Sequence, residues 1–215
     1  LHFQNAYSNS RTVILKTAPM QTTEPYESTD ATTTLKELFW KRGYERTSIE
    51  DVVQATGMNR YALYNAFGGK RDLFLAALDD YYFERKSVFL ENLNSPETPP
   101  LDAVRGVMEF AIAELADRGA GCLLCNVAND MGPTDPVIAA RVDAYLTEIE
   151  FAYGEALVRA EDAGALNPNI SPQDGAKMLI AIQLGIGVRA KAGAKRDQLL
   201  EILNAALRAL AHGAA

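Results

Sequence analysis

Histidine is nearly missing: the 215-residue chain has two, His2 and His212, one near each end. No Ser-His-Asp arrangement is therefore available in the body of the fold, and a Cys-His pair would need His212. Neither an HExxH, a phosphate-binding GxxxxGK[ST] nor a GxGxxG run occurs. We therefore expect no enzyme, no catalytic residue, no metal and no cofactor. Cysteine is equally sparse, with only Cys122 and Cys125. On a helix that spacing puts both on one face, but with side-chain vectors that suit a bridge poorly. The expectation is free thiols in a reducing compartment, hence a cytoplasmic protein. No apolar run approaches the length of a membrane span and no secretory leader is visible, so a soluble protein with no membrane partner is expected. Alternating strand patterns, internal repeats and low-complexity tracts are also lacking.

What is present is helical periodicity and an uneven charge. The net charge is −7. Residues 30–75 carry seven cations against six acids, a net +1, while residues 1–29 sum to zero, so the remainder holds −8. Two regions with different partners follow. Residues 1–27 are rich in Thr, Ser, Asn and Gln without a steady period. They read as a poorly ordered arm or a non-native extension, since LHFQ precedes the first methionine, Met20. Residues 28–75 then form a small domain and 76–215 a larger one.

In the small domain Ala31, Leu35, Leu38 and Phe39 make one apolar stripe, stopped by Gly43. Thr47 followed by Glu50 reads as a capping box that starts a second, short helix ending at Gly57. Asn59 caps a third, broken by Gly68-Gly69, and a fourth runs from about Lys70 to Leu93. Beyond the loop NSPETPP, helices are expected over Leu101–Asp117, Gly121–Met131, from Asp135-Pro136 to about Ala163, from Ser171-Pro172 to about Lys191, and over Lys195–Leu210. The fold class is all-α with about nine helices.

The second and third helices, joined at Thr56-Gly57-Met58, fit a helix-turn-helix. No acid lies between Gly57 and Arg71. A helix entering the major groove must tolerate phosphate and read base edges, and NRYALYNAFGGK meets that need. Leu63 and Phe67 point inward, leaving Arg60, Tyr61, Tyr64 and Asn65 outward. Lys70 opens the fourth helix, where the dipole disfavours a cation unless a phosphate lies nearby.

The runs LFWKRGY, T-S-I-x-D, T-G-M, L-Y-x-x-F and G-K-R-x-L-F, in that order over roughly Leu35 to Leu78, closely resemble the N-terminal domain of TetR-family transcriptional regulators. The resemblance implies an all-helical homodimer that binds double-stranded operator DNA, represses transcription and is released by a small-molecule effector. By position it implies phosphate contacts from Thr47, Ser48, Tyr64 and Lys70, and base-edge or mixed contacts from Arg60, Tyr61 and Asn65. A helical dimerisation module without DNA binding is the alternative from another class; retention of Arg60 and Lys70 argues against it.

The run GCLLCNVAND resembles a subgroup with Gly-Cys-Leu at the start of the sixth helix, some of whose members sense electrophiles or oxidants through cysteine. This makes Cys122 or Cys125 a redox-sensing candidate, against the plainer reading of two small core residues. A non-covalent pocket would draw on Phe89, Phe110, Asn126, Asn129, Tyr145, Glu148 and Tyr153. The acidity of this part weakly favours a cationic or neutral ligand. Leu199, Leu203, Ala206 and Leu210 form one stripe near the end and Leu179, Ile182 and Ile186 another, with Gly185 and Gly187 allowing close approach. Both are expected to build a four-helix dimer face.

Overall fold

The computed structural model describes residues 28–213. The reading of residues 1–27 falls outside that range. The described residues form α1 (Ser28–Arg42), α2 (Ile49–Thr56), α3 (Arg60–Phe67), α4 (Lys70–Leu93), α5 (Pro100–Arg118), α6 (Leu123–Asp130), α7 (Pro136–Asp162), α8 (Pro172–Lys191) and α9 (Arg196–Leu210). The one bridge of strand type among them joins Leu166 to Ala211. None of these helices is long and apolar enough to cross a membrane.

Local chemistry sets the ends. Gly57 takes the left-handed conformation (φ 69°) after α2, and its N–H donates to Val53 O. Asn59 caps α3 by accepting from the Ala62 N–H at 2.8 Å. Asp135 and Ser171 cap α7 and α8, each followed by proline in the first turn. The start of α2 differs from expectation. Its N-cap is Ser48, in a reciprocal box with Asp51: Asp51 N–H donates to Ser48 Oγ at 3.1 Å and Ser48 N–H to Asp51 Oδ2 at 2.8 Å. Thr47 lies one residue too early for the cap.

Two clusters make the core. One joins α1–α4 to α6 and the first half of α7, through Leu35, Phe39, Trp40, Leu63, Phe74 and Leu78 on one side and Leu124, Val127, Ile138 and Val142 on the other. The second joins α5, the second half of α7, α8 and α9. Helix α4 runs unbroken across residue 75 and serves both. Lys36 of α1 is buried against α4, 2.9 Å from Asp80 and 2.6 Å from Glu84. Isolated burial would be prohibitive for such a charge; two carboxylates offset it.

The expected dimer stripes are instead intramolecular. Leu179, Leu199, Leu203 and Leu210 are wholly buried, Ile186 and Ala206 nearly so, and Ile182 is packed against the same cluster. Gly187 gives close approach to α6 rather than to a second chain, since a Cβ there would stand 3.0 Å from Cys122 Cβ. Gly185 is exposed, with nothing within 4 Å of an added Cβ. An amphipathic stripe marks a buried face, and in α8 and α9 that face is spent on α5 and α7.

Leu203→Ala should therefore lower unfolding stability by about 2–5 kcal/mol in urea denaturation, as a core truncation does. A loss below about 0.5 kcal/mol, normal for surface sites, would return Leu203 to an exposed face.

Candidate nucleic-acid interface and effector cavity

The outward face of α3 follows from one inward residue. Leu63 is buried at 1% exposure, which turns Arg60, Tyr61, Tyr64 and Asn65 outward; Tyr61 is 72% exposed and Tyr64 42%. Arg60 bonds Glu50 of α2, but both side chains stay solvated, so the pair contributes little and can be exchanged. Ser48 is exposed at the α2 N-terminus. Lys70 stands over the Tyr44 ring, 4.3 Å from its centroid, which helps hold the ammonium at an unfavourable helix end. Thr47, expected among the phosphate contacts, does not reach this face. Its side chain is wholly buried and its hydroxyl donates to Gly43 O at 2.7 Å, so it braces the α1–α2 turn rather than facing phosphate.

Besides the apolar cluster they share, the head (α1–α3 and the start of α4) is tied to the rest by directed polar contacts. Arg71, at the start of α4, makes a two-pronged bond to Asp135, the cap of α7, at 2.7 and 2.8 Å. Hydrogen bonding to Arg71 holds the Asp135 carboxyl well below the ordinary range. Trp40 of α1 donates its indole N–H to Gly121 O at 2.7 Å. Around that indole lie Tyr81 edge-on at 4.9 Å and the guanidinium groups of Arg85 and Arg118 at 4.8 and 4.5 Å.

Behind Tyr81 lies an open cavity of about 320 Å³ between α4 and α5, bordered by residues of α6, α7 and α8. Its walls are mainly apolar and aromatic, with Tyr81, Tyr82, Phe89, Val107, Phe110 and Leu124. Charged groups at its edge are already paired, Arg85 with Glu114 at 2.9 Å and Lys86 with Glu148 at 2.5 Å. Asn92, Gln183 and Cys122 also line it.

Of the seven expected pocket residues only Phe89 and Phe110 line this space. Asn126 donates to Ala120 O and Asn129 to Cys125 O, so both serve as backbone braces. Tyr145 stacks on Tyr82 at 3.7 Å and donates to Asp79, while Glu148 accepts from Tyr82 and Lys86. Tyr153 is buried behind Phe89, its hydroxyl donating to Gln183. The missed lining residues Tyr81, Arg85 and Asn92 share one face of α4 with Phe89. Their spacing of about four was visible in the sequence, but their mixed chemistry disguised it as surface.

Two family models match the chain: bacterial regulatory proteins of the tetR family over residues 32–77, and the tetracyclin repressor-like C-terminal domain over 100–210. The uncharacterized HTH-type transcriptional regulator YezE of Bacillus subtilis (strain 168) is 31% identical over 177 residues, 81% of this chain and 91% of that protein. The HTH-type transcriptional repressor ComR of Escherichia coli (strain K12) is 30% identical over 176 residues, 80% and 82% of the two chains. Among solved structures, the TetR family regulator CifR, as a triple cysteine mutant with 26-bp double-strand operator DNA, superposes with TM-score 0.75 at 24% identity, covering 84% of this chain and 95% of that one. E. coli NemR in its reduced form superposes with TM-score 0.78 at 19% identity, covering 88% and 100%. These two likenesses bear on the fold.

The cap of α2 gives a pH prediction. Hydrogen bonds from Ser48, backbone first, hold Asp51 down from 3.8 to about 2. A depressed carboxyl stabilises the fold above its unfolded pKa, and that contribution is lost as pH falls from 3.8 toward about 2. The carboxyl-carbon shift of Asp51 should titrate near the lower value. Ser48→Ala should raise the midpoint partway and cost about 0.5–2 kcal/mol. A wild-type midpoint at 3.8 would break the assignment.

Proposed function

The chain belongs to the TetR family of bacterial regulatory proteins, and we propose that it acts as a cytoplasmic homodimeric repressor that leaves its operator when the cavity is filled. The observation that carries this reading is the sharing of α4. One helix begins with Lys70, just after α3 and over the Tyr44 ring, and lines the cavity with Tyr81, Arg85 and Phe89. A ligand that prefers a different setting of Arg85 and Tyr81 acts on Trp40, and through α1 on the angle of the head. In a two-fold dimer a small tilt takes two recognition helices off their roughly 34–36 Å spacing. Support for a regulator rather than an enzyme comes from the family match.

Ser48, Tyr64 and Lys70 are the phosphate side of the interface, and Arg60, Tyr61 and Asn65 the base side. Arg60 exchanges Glu50 for the DNA. Because the cavity's charges are internally paired, the effector that fits is a small, uncharged, largely apolar or aromatic molecule. A second reading, that the effector acts covalently on a thiol, is favoured by Cys122 facing this cavity with the Tyr81 hydroxyl 3.6 Å away.

Binding to an operator from the protein's own upstream region tests the first reading by fluorescence anisotropy across salt concentrations. Lys70→Ala should weaken binding to all sequences and reduce the slope of log K against log salt by about one unit. An unchanged slope removes Lys70 from the phosphate contacts. The cavity is tested separately. Gly106 lines it, and an added Cβ meets nothing within 4 Å, so Gly106→Leu should partly fill the space without breaking α5. The variant should keep its helicity and lose the thermal shift given by apolar ligands that stabilise the wild type. A retained shift would place the effector elsewhere.

A further inference from the structure

Cys122 and Cys125 bracket the first turn of α6 as Cys-Leu-Leu-Cys. If both were helical, their side chains would diverge. They are not: Cys122 is the N-cap, with extended backbone at φ −76° and ψ 128°, and Cys125 is in the first turn. A Cβ on Gly187 would stand 3.0 Å from Cys122 Cβ and 3.2 Å from Cys125 Sγ, so both cysteines press on one point of α8. Both thiols are free, Cys122 facing the cavity and Cys125 buried behind it. Their chemistry is unequal. The facing Cys125 thiol, then the N–H groups of the first turn and the Tyr81 hydroxyl, hold the Cys122 thiol low against burial. The same neighbour and burial push Cys125 up. An attacking thiolate at the helix end and a buried thiol behind it are the two halves of a redox pair.

We propose that Cys122 and Cys125 form a reversible dithiol–disulfide site, oxidised by hydroperoxides with an apolar body that enter the cavity. This rests on the thiol reading of the effector site. The Cys122 thiolate attacks the terminal oxygen of the hydroperoxide; the O–O bond breaks, and the alkoxide takes a proton and leaves as an alcohol. Cys122 is then a sulfenic acid. Cys125 sulfur attacks it, the S–O bond breaks, and the hydroxyl leaves with the Cys125 proton as water. Two thiols and one hydroperoxide give one disulfide, one alcohol and one water.

The site is wired to the head by its neighbours in the chain and in space. Gly121, which precedes Cys122, accepts the Trp40 hydrogen bond, and Tyr81, which donates to Cys122, packs edge-on against Trp40. Gly121 has φ 68°, and a Cβ on it would meet Lys191 Cβ at 2.8 Å, so the residue has little room to absorb a shift of Cys122. Drawing Cys122 toward Cys125 removes the Tyr81 bond and strains the Trp40 bond.

The full-length protein supplies its own reporter, since Trp40 is its single tryptophan. On treatment with cumene hydroperoxide, both thiols of each chain should disappear with a loss of two hydrogens and no chain-to-chain cross-link. Trp40 emission should shift, operator affinity should fall about tenfold, and dithiothreitol should reverse all three. Cys125→Ser should stop at a sulfenic acid that dimedone traps. Retained thiols, a cross-link between chains, or a wild type that stops at the trapped acid would overturn the pair. A disulfide without a change in emission would overturn the link to Trp40. Thiol and emission readouts need no DNA, so a chain that bound no operator would sink the repressor reading and leave these two to decide this one.

Discussion

Trp40 holds the first helix of the head to the corner that opens α6. Its N–H reaches Gly121 O at 2.7 Å in the buried interior, where an unmade bond would leave two polar groups desolvated. The bond therefore fixes position more than it adds stability. Tyr81 and Arg85 of α4 and Arg118 of α5 pack around the same ring, so three helices take their setting from one side chain. Arg118 is itself anchored to Glu37, one turn before Trp40 on α1. Anything that resets Tyr81 or Arg85 must either carry the indole with it or break that bond.

The second anchor is of a different kind. Arg71 and Asp135 join two helix N-termini, and Asp135 also accepts the first-turn N–H groups of Val137 and Ile138 at 3.0 and 3.1 Å. One carboxylate thus closes a helix and clamps the head. Partial exposure limits what the pair adds to stability. Its two-pronged geometry still sets direction, because a planar guanidinium and a planar carboxylate meet in few ways.

The sequence made the helices legible because their ends carry chemistry of their own: Gly43, Gly57, Asn59, Asp135-Pro136 and Ser171-Pro172 each mark a boundary within a residue or two of the observed one. It was less informative about what a buried face is buried against. Leu199, Leu203 and Leu210 have the same period whether they meet α5 or a second chain, and nothing local tells the two apart. Thr47 and Ser48 are neighbours with the same hydroxyl chemistry, and only the fold decides that one braces a turn while the other caps a helix. On α3 the outward residues were recoverable because one apolar position, Leu63, fixes the register of the whole short helix. In the cavity, aromatic residues alone were a poor guide. Phe89 and Phe110 reach the space, whereas Tyr145 and Tyr153 spend their hydroxyls on Asp79 and Gln183.

The interior of the head does not end where its helix-turn-helix ends. Leu123, Leu124, Val127, Met131, Ile138 and Val142, all far along the chain, belong to the same apolar cluster as Leu35, Phe39 and Phe74. Recombination that exchanged residues 28–75 between relatives would leave that interior facing an unmatched partner surface. A head of this architecture is therefore folded together with α6 and the start of α7, and parting them exposes apolar surface that a substitution on the outer face of α3 leaves covered.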